Sequence, residues 1–266
     1  MIDRATILYF PHGGGPLPLL GDPGHENMVR FLRAYPQSLG RPGAIVVVSA
    51  HWEEPVVSVT ASTSPPLLFD YYGFPPETYE YRYPAPGDPA LAGRIDGLLR
   101  EAGIESRLDD ERGFDHGLFV PLMLMYPDAD IPCIQISLHA SLDAGMHLRI
   151  GKALAPLSGE NLLILGSGFS FHNMGELLSK RDDSPDPRNQ AFEDWLAEAL
   201  QDTAIDEAER ERRLADWESA PHARFCHPRE EHLLPLQVCY GIAGRPGTVV
   251  FDQTVVGFRA SACEWS

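Results

Sequence analysis

The chain has 266 residues, is 44% apolar and 22% charged, and carries a formal net charge of −17; it has the composition of an ordinary globular protein and the length to bury a substantial core. The acidity argues against nucleic acid or an anionic membrane surface as partner, because phosphate contacts need clustered Lys and Arg. No apolar run approaches the roughly 20 residues of a membrane span.

The first strand, Thr6–Phe10, starts too early to leave space for a signal peptide. Cys133, Cys226, Cys239 and Cys263 are widely spaced, without a C-x-x-C pair, and read as reduced thiols. A cytoplasmic location is expected. The strand runs into Pro11-His12-Gly13-Gly14-Gly15 and a loop to Pro23, and Glu26–Tyr35 has helical spacing. The most strand-like stretch is Ile45–Trp52, I-V-V-V-S-A-H-W. Its β-branched run marks a strand buried on both faces, and a polar side chain at its end falls at the carboxyl edge of a sheet, where open α/β folds place their sites.

Val56–Thr60 is a short strand. Residues 64–87 are dense in Pro, Tyr and Phe and predict an ordered lid or wall without regular structure. Asp88-Pro89 opens a helix that Gly103 ends. Gly113–Gly117 is a turn, Phe119–Tyr126 a short apolar helix, and Ile131–Leu138 a strand ending at His139. A helix over Ala144–Pro156 precedes the strand Asn161–Leu165, which leads to Gly166-Ser167-Gly168 and His172. Ser179–Arg188 predicts a polar loop, and Gln190–Leu200 and Ile205–Trp217 predict amphipathic helices. A further helix is expected over Pro228–Tyr240, then strands at Thr248–Phe251 and Thr254–Phe258. No linker divides the chain. The reading is a single catalytic domain over 1–266 of α/β class, with a central, mostly parallel (mixed) sheet and helices on both faces.

Ten histidines stand out, since histidine is the commonest metal ligand and the usual acid/base near neutral pH. His12 and His51 follow strands in the same register, so both can reach one ion, which then needs a further protein ligand and open positions. Gly13 and its neighbours let a substrate approach the backbone. His172 suits either a ligand or an acid/base role, and His116 suits a proton donor beside the site. His227 and His232 are five positions apart in H-P-R-E-E-H, about 140° on a helix. One is expected as ligand, with His232 preferred over His227, Glu230 and Glu231, and the other as substrate contact or cap. His25, His139, His147 and His222 read as solvated or satisfied core residues.

In order, P-H-G-G-G-P, S-A-H-W, G-F-D-H-G, G-S-G-x-x-x-H-N and H-P-x-x-E-H-x-x-P-L resemble the LigB-type class III extradiol ring-cleavage dioxygenases, most closely the 4,5-DOPA extradiol dioxygenase branch. The resemblance runs from His12 to the helix after His232. It implies a mononuclear non-haem Fe(II) site, with Zn(II) also carried by members, held by His12, His51 and His232. It further implies His172 as acid/base and His116 near a substrate oxygen, with a small aromatic diol and O2 as reaction partners. His227 and Gly13 are assigned to substrate binding, while ring-cleaving relatives use a glutamate as third ligand. The glycine triplet departs from the H-G-S/A-P usual after the first ligand, which alters the pocket rather than the metal. The sequence leaves oligomerisation open. Two alternatives stand beside this reading: a zinc-dependent hydrolase using the same histidines, and a non-enzymatic binding relative.

Overall fold

The computed structural model describes residues 4–180 and 184–266. Its strands are β1 (Thr6–Pro11), β2 (Ala44–Glu54), β3 (Val57–Thr60), β4 (Ser106–Asp109), β5 (Cys133–His139), β6 (Leu162–Gly168), β7 (Thr248–Val255) and β8 (Phe258–Trp265). They form one eight-stranded sheet in the order β4-β3-β5-β2-β6-β1-β8-β7. The pairs β5–β2, β2–β6, β6–β1 and β3–β4 are parallel, whereas β3–β5, β1–β8 and β8–β7 are antiparallel. The sheet is mixed, with a parallel centre.

Helices among the described residues are α1 (Glu26–Ala34), α2 (Pro89–Glu101), α3 (His116–Met125), α4 (Ala144–Leu154), α5 (Met174–Ser179), α6 (Pro187–Gln201), α7 (Glu207–Ala215), α8 (Ala223–Cys226) and α9 (Leu234–Ala243). None is long and apolar enough to cross a membrane. The β-branched run of β2 serves two cores at once. Val46 and Val48 pack with residues of α2, α4, α6, α7 and α9; Ile45 and Val47 pack with Met28 and Leu32 of α1 and Leu118, Phe119 and Leu122 of α3. Alternate side chains of a strand point to opposite faces, so a two-faced core explains an unbroken apolar run.

Several boundaries differ from expectation. β4 carries no apolar run, with Arg107 and Leu108 exposed, and escapes a periodicity reading. The helix expected from Pro228 begins only at Leu234, with Pro235 in its first turn. A proline lacks the N–H needed to continue a helix from upstream but is well suited to start one. The tail folds as a hairpin about Val256-Gly257, both at positive φ (49° and 79°): β7 runs unbroken through Thr254 and Val255, the turn occupies the middle of the expected second strand, and β8 begins only at Phe258. Short primed turns of this kind match strand twist. The expected loop Ser179–Arg188 is bounded by α5 and α6, and 181–183 lie outside the described residues.

Candidate metal centre

The parallel strands β1, β2 and β6 end together, and their carboxyl edge carries the histidines. His12 follows β1 directly, and its backbone N–H donates to the Gly168 carbonyl at 3.0 Å. Pairing of β2 with β6 stops at Ser49↔Ser167, and the β2–β5 register slips between Val48 and Glu53. His51 lies in that slip, an irregularity of the kind that re-aims side chains at sites. His232 reaches the same point from the turn before α9. Its carbonyl accepts from the Phe169 N–H at 3.0 Å and the Tyr9 hydroxyl at 2.9 Å.

The close approach depends on glycine. A Cβ on Gly168 would collide with the His232 carbonyl, which accounts for the G-S-G at the end of β6.

The Nε2 atoms of His12 and His51 are 2.9 Å apart, and those of His51 and His232 are 3.3 Å apart. Each ring has a polar partner behind it. His12 Nδ1 is 2.9 Å from Ser167 Oγ, His232 Nδ1 is 3.0 Å from Glu231 Oε1, and His51 Nδ1 is 3.7 Å from Asp70 Oδ2. Burial, followed by the positive field of neighbouring imidazoles, holds His12 and His232 well below the usual imidazole range. Burial does the same for His51, reinforced by His116 and partly opposed by Asp70. Neutral imidazoles with Nε2 lone pairs converging at about 3 Å repel unless a cation lies between them. A three-nitrogen donor set with second partners on Nδ1 is the arrangement that metals such as zinc or iron take from protein. The residues fit a metal.

His116 and His172 flank this centre. The His116 ring centroid is 3.9 Å from that of His51, and the His172 ring stacks on His232 at 3.4 Å and 16°. His116 Nδ1 is 2.8 Å from Asp70 Oδ1, and His172 Nδ1 is 3.1 Å from Glu231 Oε1. Burial would raise both carboxyls, but the contacts with His116 and His51 outweigh it for Asp70, and those with His172 outweigh it for Glu231. Both stay below the ordinary range. Ligand atoms of His12, His51 and His116 lie within 4.8 Å of one another, as do those of His172, Glu231 and His232; five histidines and a glutamate thus make one centre.

Two residues expected at the substrate, His227 and Gly13, sit in packed surroundings. His227 is fully buried, its Nε2–H donating to the Ser170 carbonyl at 2.7 Å and its ring against Phe192 and Trp217. Gly13 has φ +85°, and a Cβ there would meet Pro18, His25 and Met28, so the turn itself requires glycine. His25 supports the same turn: its Nε2 accepts from the Gly14 N–H at 3.0 Å while Nδ1 meets Asp22 at 2.7 Å. Glu230 pairs outward with Arg224 at 2.8 Å.

Asp70 and Ser167 were not anticipated. Asp70 sits in the aromatic segment with Tyr71, whose ring is 5.9 Å from His116, so that segment does border the site. Only the glycines flanking Ser167 carried a signal for it.

Fold and geometry define an α/β protein with a histidine centre fit for a metal. A family model described as the catalytic LigB subunit of aromatic ring-opening dioxygenase matches residues 22–258. The chain is 42% identical over 255 residues to the dioxygenase tasH of Hapsidospora irregularis, covering 90% of this chain and 78% of that protein. It is 38% identical over 245 residues to the 4,5-DOPA dioxygenase extradiol of Beta vulgaris, covering 91% and 88%. The protein of the same name from Escherichia coli K12 is 38% identical over 239 residues, covering 90% and 85%. A crystal structure of the uncharacterized protein JW3007 from Escherichia coli K12 superposes with a TM-score of 0.81 at 33% identity, covering 99% of this chain and all of that one. The chain belongs to the LigB family and is an extradiol aromatic ring-opening dioxygenase.

Proposed function

We propose that the chain opens the ring of a catechol-type substrate resembling L-DOPA, at a single metal held by His12, His51 and His232. The observation that carries this reading is the convergence of the three Nε2 atoms, with His116 and His172 on its flanks. The substrate class follows the printed names of the Beta vulgaris and Escherichia coli relatives. Fe(II) is the metal expected for activity, and zinc suits the same donors. Bound there, the metal would hold the diol and O2 side by side and let electrons pass from ring to oxygen.

The residues supply positioning and proton transfer. His116 and His172 each present Nδ1 to a carboxylate, which leaves Nε2 able to take a proton from a catechol hydroxyl. Asp70 and Glu231 then stabilise the imidazolium formed. The same histidine can return that proton to an oxygen of the opened ring. Tyr71, beside His116 with its hydroxyl donating to the Thr78 carbonyl at 2.6 Å, offers a fixed ring against which a flat substrate can pack.

Of the candidates for third ligand, His232 is favoured. His227 spends Nε2 on Ser170, Glu230 faces Arg224, and Glu231 turns an oxygen to two Nδ1 atoms. Metal content tests the set. His12→Ala, His51→Ala and His232→Ala should each lose stoichiometric metal, whereas His116→Ala and His172→Ala should keep it and lose turnover. A His232→Ala protein that retained a full metal complement would break the assignment.

A further inference from the structure

The centre contains a repetition that runs across unrelated parts of the chain. Asp70 comes from the irregular segment 64–87, and Glu231 from the turn before α9. Each carboxylate lies between one of the proposed ligands and one of the proposed proton carriers. Asp70 Oδ1 accepts from His116 Nδ1–H at 2.8 Å and from the His116 backbone N–H at 3.0 Å, while Oδ2 is 3.7 Å from His51 Nδ1. Glu231 places a single oxygen, Oε1, 3.1 Å from His172 Nδ1 and 3.0 Å from His232 Nδ1. Its other oxygen makes no hydrogen bond and lies 3.4 Å from the Arg229 guanidinium.

We propose that Asp70 and Glu231 are positioning residues, each fixing one ligand histidine and one proton-transfer histidine as a unit. The site is then two matched pairs, His51–Asp70–His116 and His232–Glu231–His172. This rests on the roles given to those histidines above.

Donors and acceptors fix the tautomers of these rings. An ionised carboxylate only accepts, so an imidazole nitrogen at 2.8–3.1 Å from it must carry the proton. With Nδ1 protonated, the lone pair of a neutral ring lies on Nε2, the atom that faces the centre in His232. The 3.7 Å separation at His51 is longer than a hydrogen bond and acts through charge alone, so the Asp70 unit is tight at His116 and looser at His51. His12 lies outside both units and takes its partner from Ser167 instead. Because one carboxylate serves both members of a pair, metal affinity and proton transfer are coupled within a unit.

Asp70→Asn and Glu231→Gln preserve shape but put an amide where two acceptor oxygens stood. Competition against a chromophoric chelator, with zinc alone as probe, should show a loss of about 10- to 100-fold in affinity. The loss should be larger for Glu231→Gln, whose ligand contact is the shorter. Long-range ¹⁵N–¹H spectra of the zinc-loaded protein should show His116 and His172 protonated at Nδ1. Asp70→Asn should change the His116 signals and spare His172, and Glu231→Gln should do the reverse. In turnover with a catechol, adding His116→Ala to Asp70→Asn should cost little beyond the slower single variant.

Unmoved histidine signals together with zinc affinities within twofold of the parent would overturn the proposal. So would Nε2-protonated His116 or His172 in the unmodified protein, which decides the matter even if a variant fails to fold. The zinc and tautomer readouts need no ring cleavage, so a wrong substrate class would show as absent turnover with both readouts intact.

Discussion

Ser167 gives its only proton to the Gly117 carbonyl, 2.6 Å away, and must therefore accept from His12, whose Nδ1 is 2.9 Å from the same oxygen. The Gly117 carbonyl is available because of Pro121. A proline inside a helix has no N–H for the carbonyl four residues back, and in α3 that carbonyl is Gly117. The break in one helix thus sets the tautomer of a histidine on another element and points His12 Nε2 into the centre.

Ser167→Ala should lower metal affinity by roughly 10-fold or more, since His12 loses what holds its ring and proton. Two buried polar groups lose their partner, at a cost of about 1–3 kcal/mol each. Chelator competition and urea unfolding measure the two effects separately. Unchanged affinity would mean that His12 is held by packing alone.

The His232 carbonyl offers a contrast between two variants. Gly168→Ala pushes a methyl into it and should displace His232, lowering both stability and metal content. Tyr9→Phe removes one hydrogen bond to the same carbonyl while the Phe169 N–H remains, so it should cost about 1 kcal/mol and leave metal content whole. Equal effects from the two changes would contradict this account of the glycine.

Stability should depend on pH through groups outside the centre. Burial holds His147 down at about 4 and His227 at about 3, against an unfolded value near 6.5. The unfolded chain takes up those protons first, so stability is lost as pH falls from about 6.5 through 4. Glu193, raised to about 7 by burial, acts in the opposite sense. Its carboxyl ionises in the unfolded chain near 4.3, so its burial costs more as pH rises from there toward 7. Urea midpoints between pH 7 and pH 4 should fall more steeply for Glu193→Gln and less steeply for His147→Gln than for the parent. Identical slopes in all three would refute the assignment.

What was legible in the sequence follows from how each residue is carried. His12 and His51 come directly after long buried runs, so their place at the sheet's edge could be read from hydrophobicity. His232 was legible through its motif, although the helix expected around it is a turn that Pro235 closes. Asp70 was not legible, because it lies in a proline-rich segment and meets His116 from 46 positions away. His227 sits in the same motif as His232, yet it follows the short helix α8 as its C-terminal cap and turns into the core toward Phe192, a placement the motif did not reveal. β4 and β8 were missed, one for its brevity and the other for its small residues, Ala260, Ser261 and Ala262. Their strand character comes from pairing with β3 and with β1 and β7.

The central claim is ring cleavage at the histidine centre, and oxygen consumption tests it most directly. Protein reconstituted anaerobically with Fe(II) would be mixed with L-DOPA or a related catechol in an oxygen electrode while near-ultraviolet and violet absorbance is followed. The account requires oxygen uptake matched mole for mole by a yellow ring-opened semialdehyde, with neither seen for His172→Ala. No uptake with any catechol, on protein shown to hold one iron per chain, would contradict it.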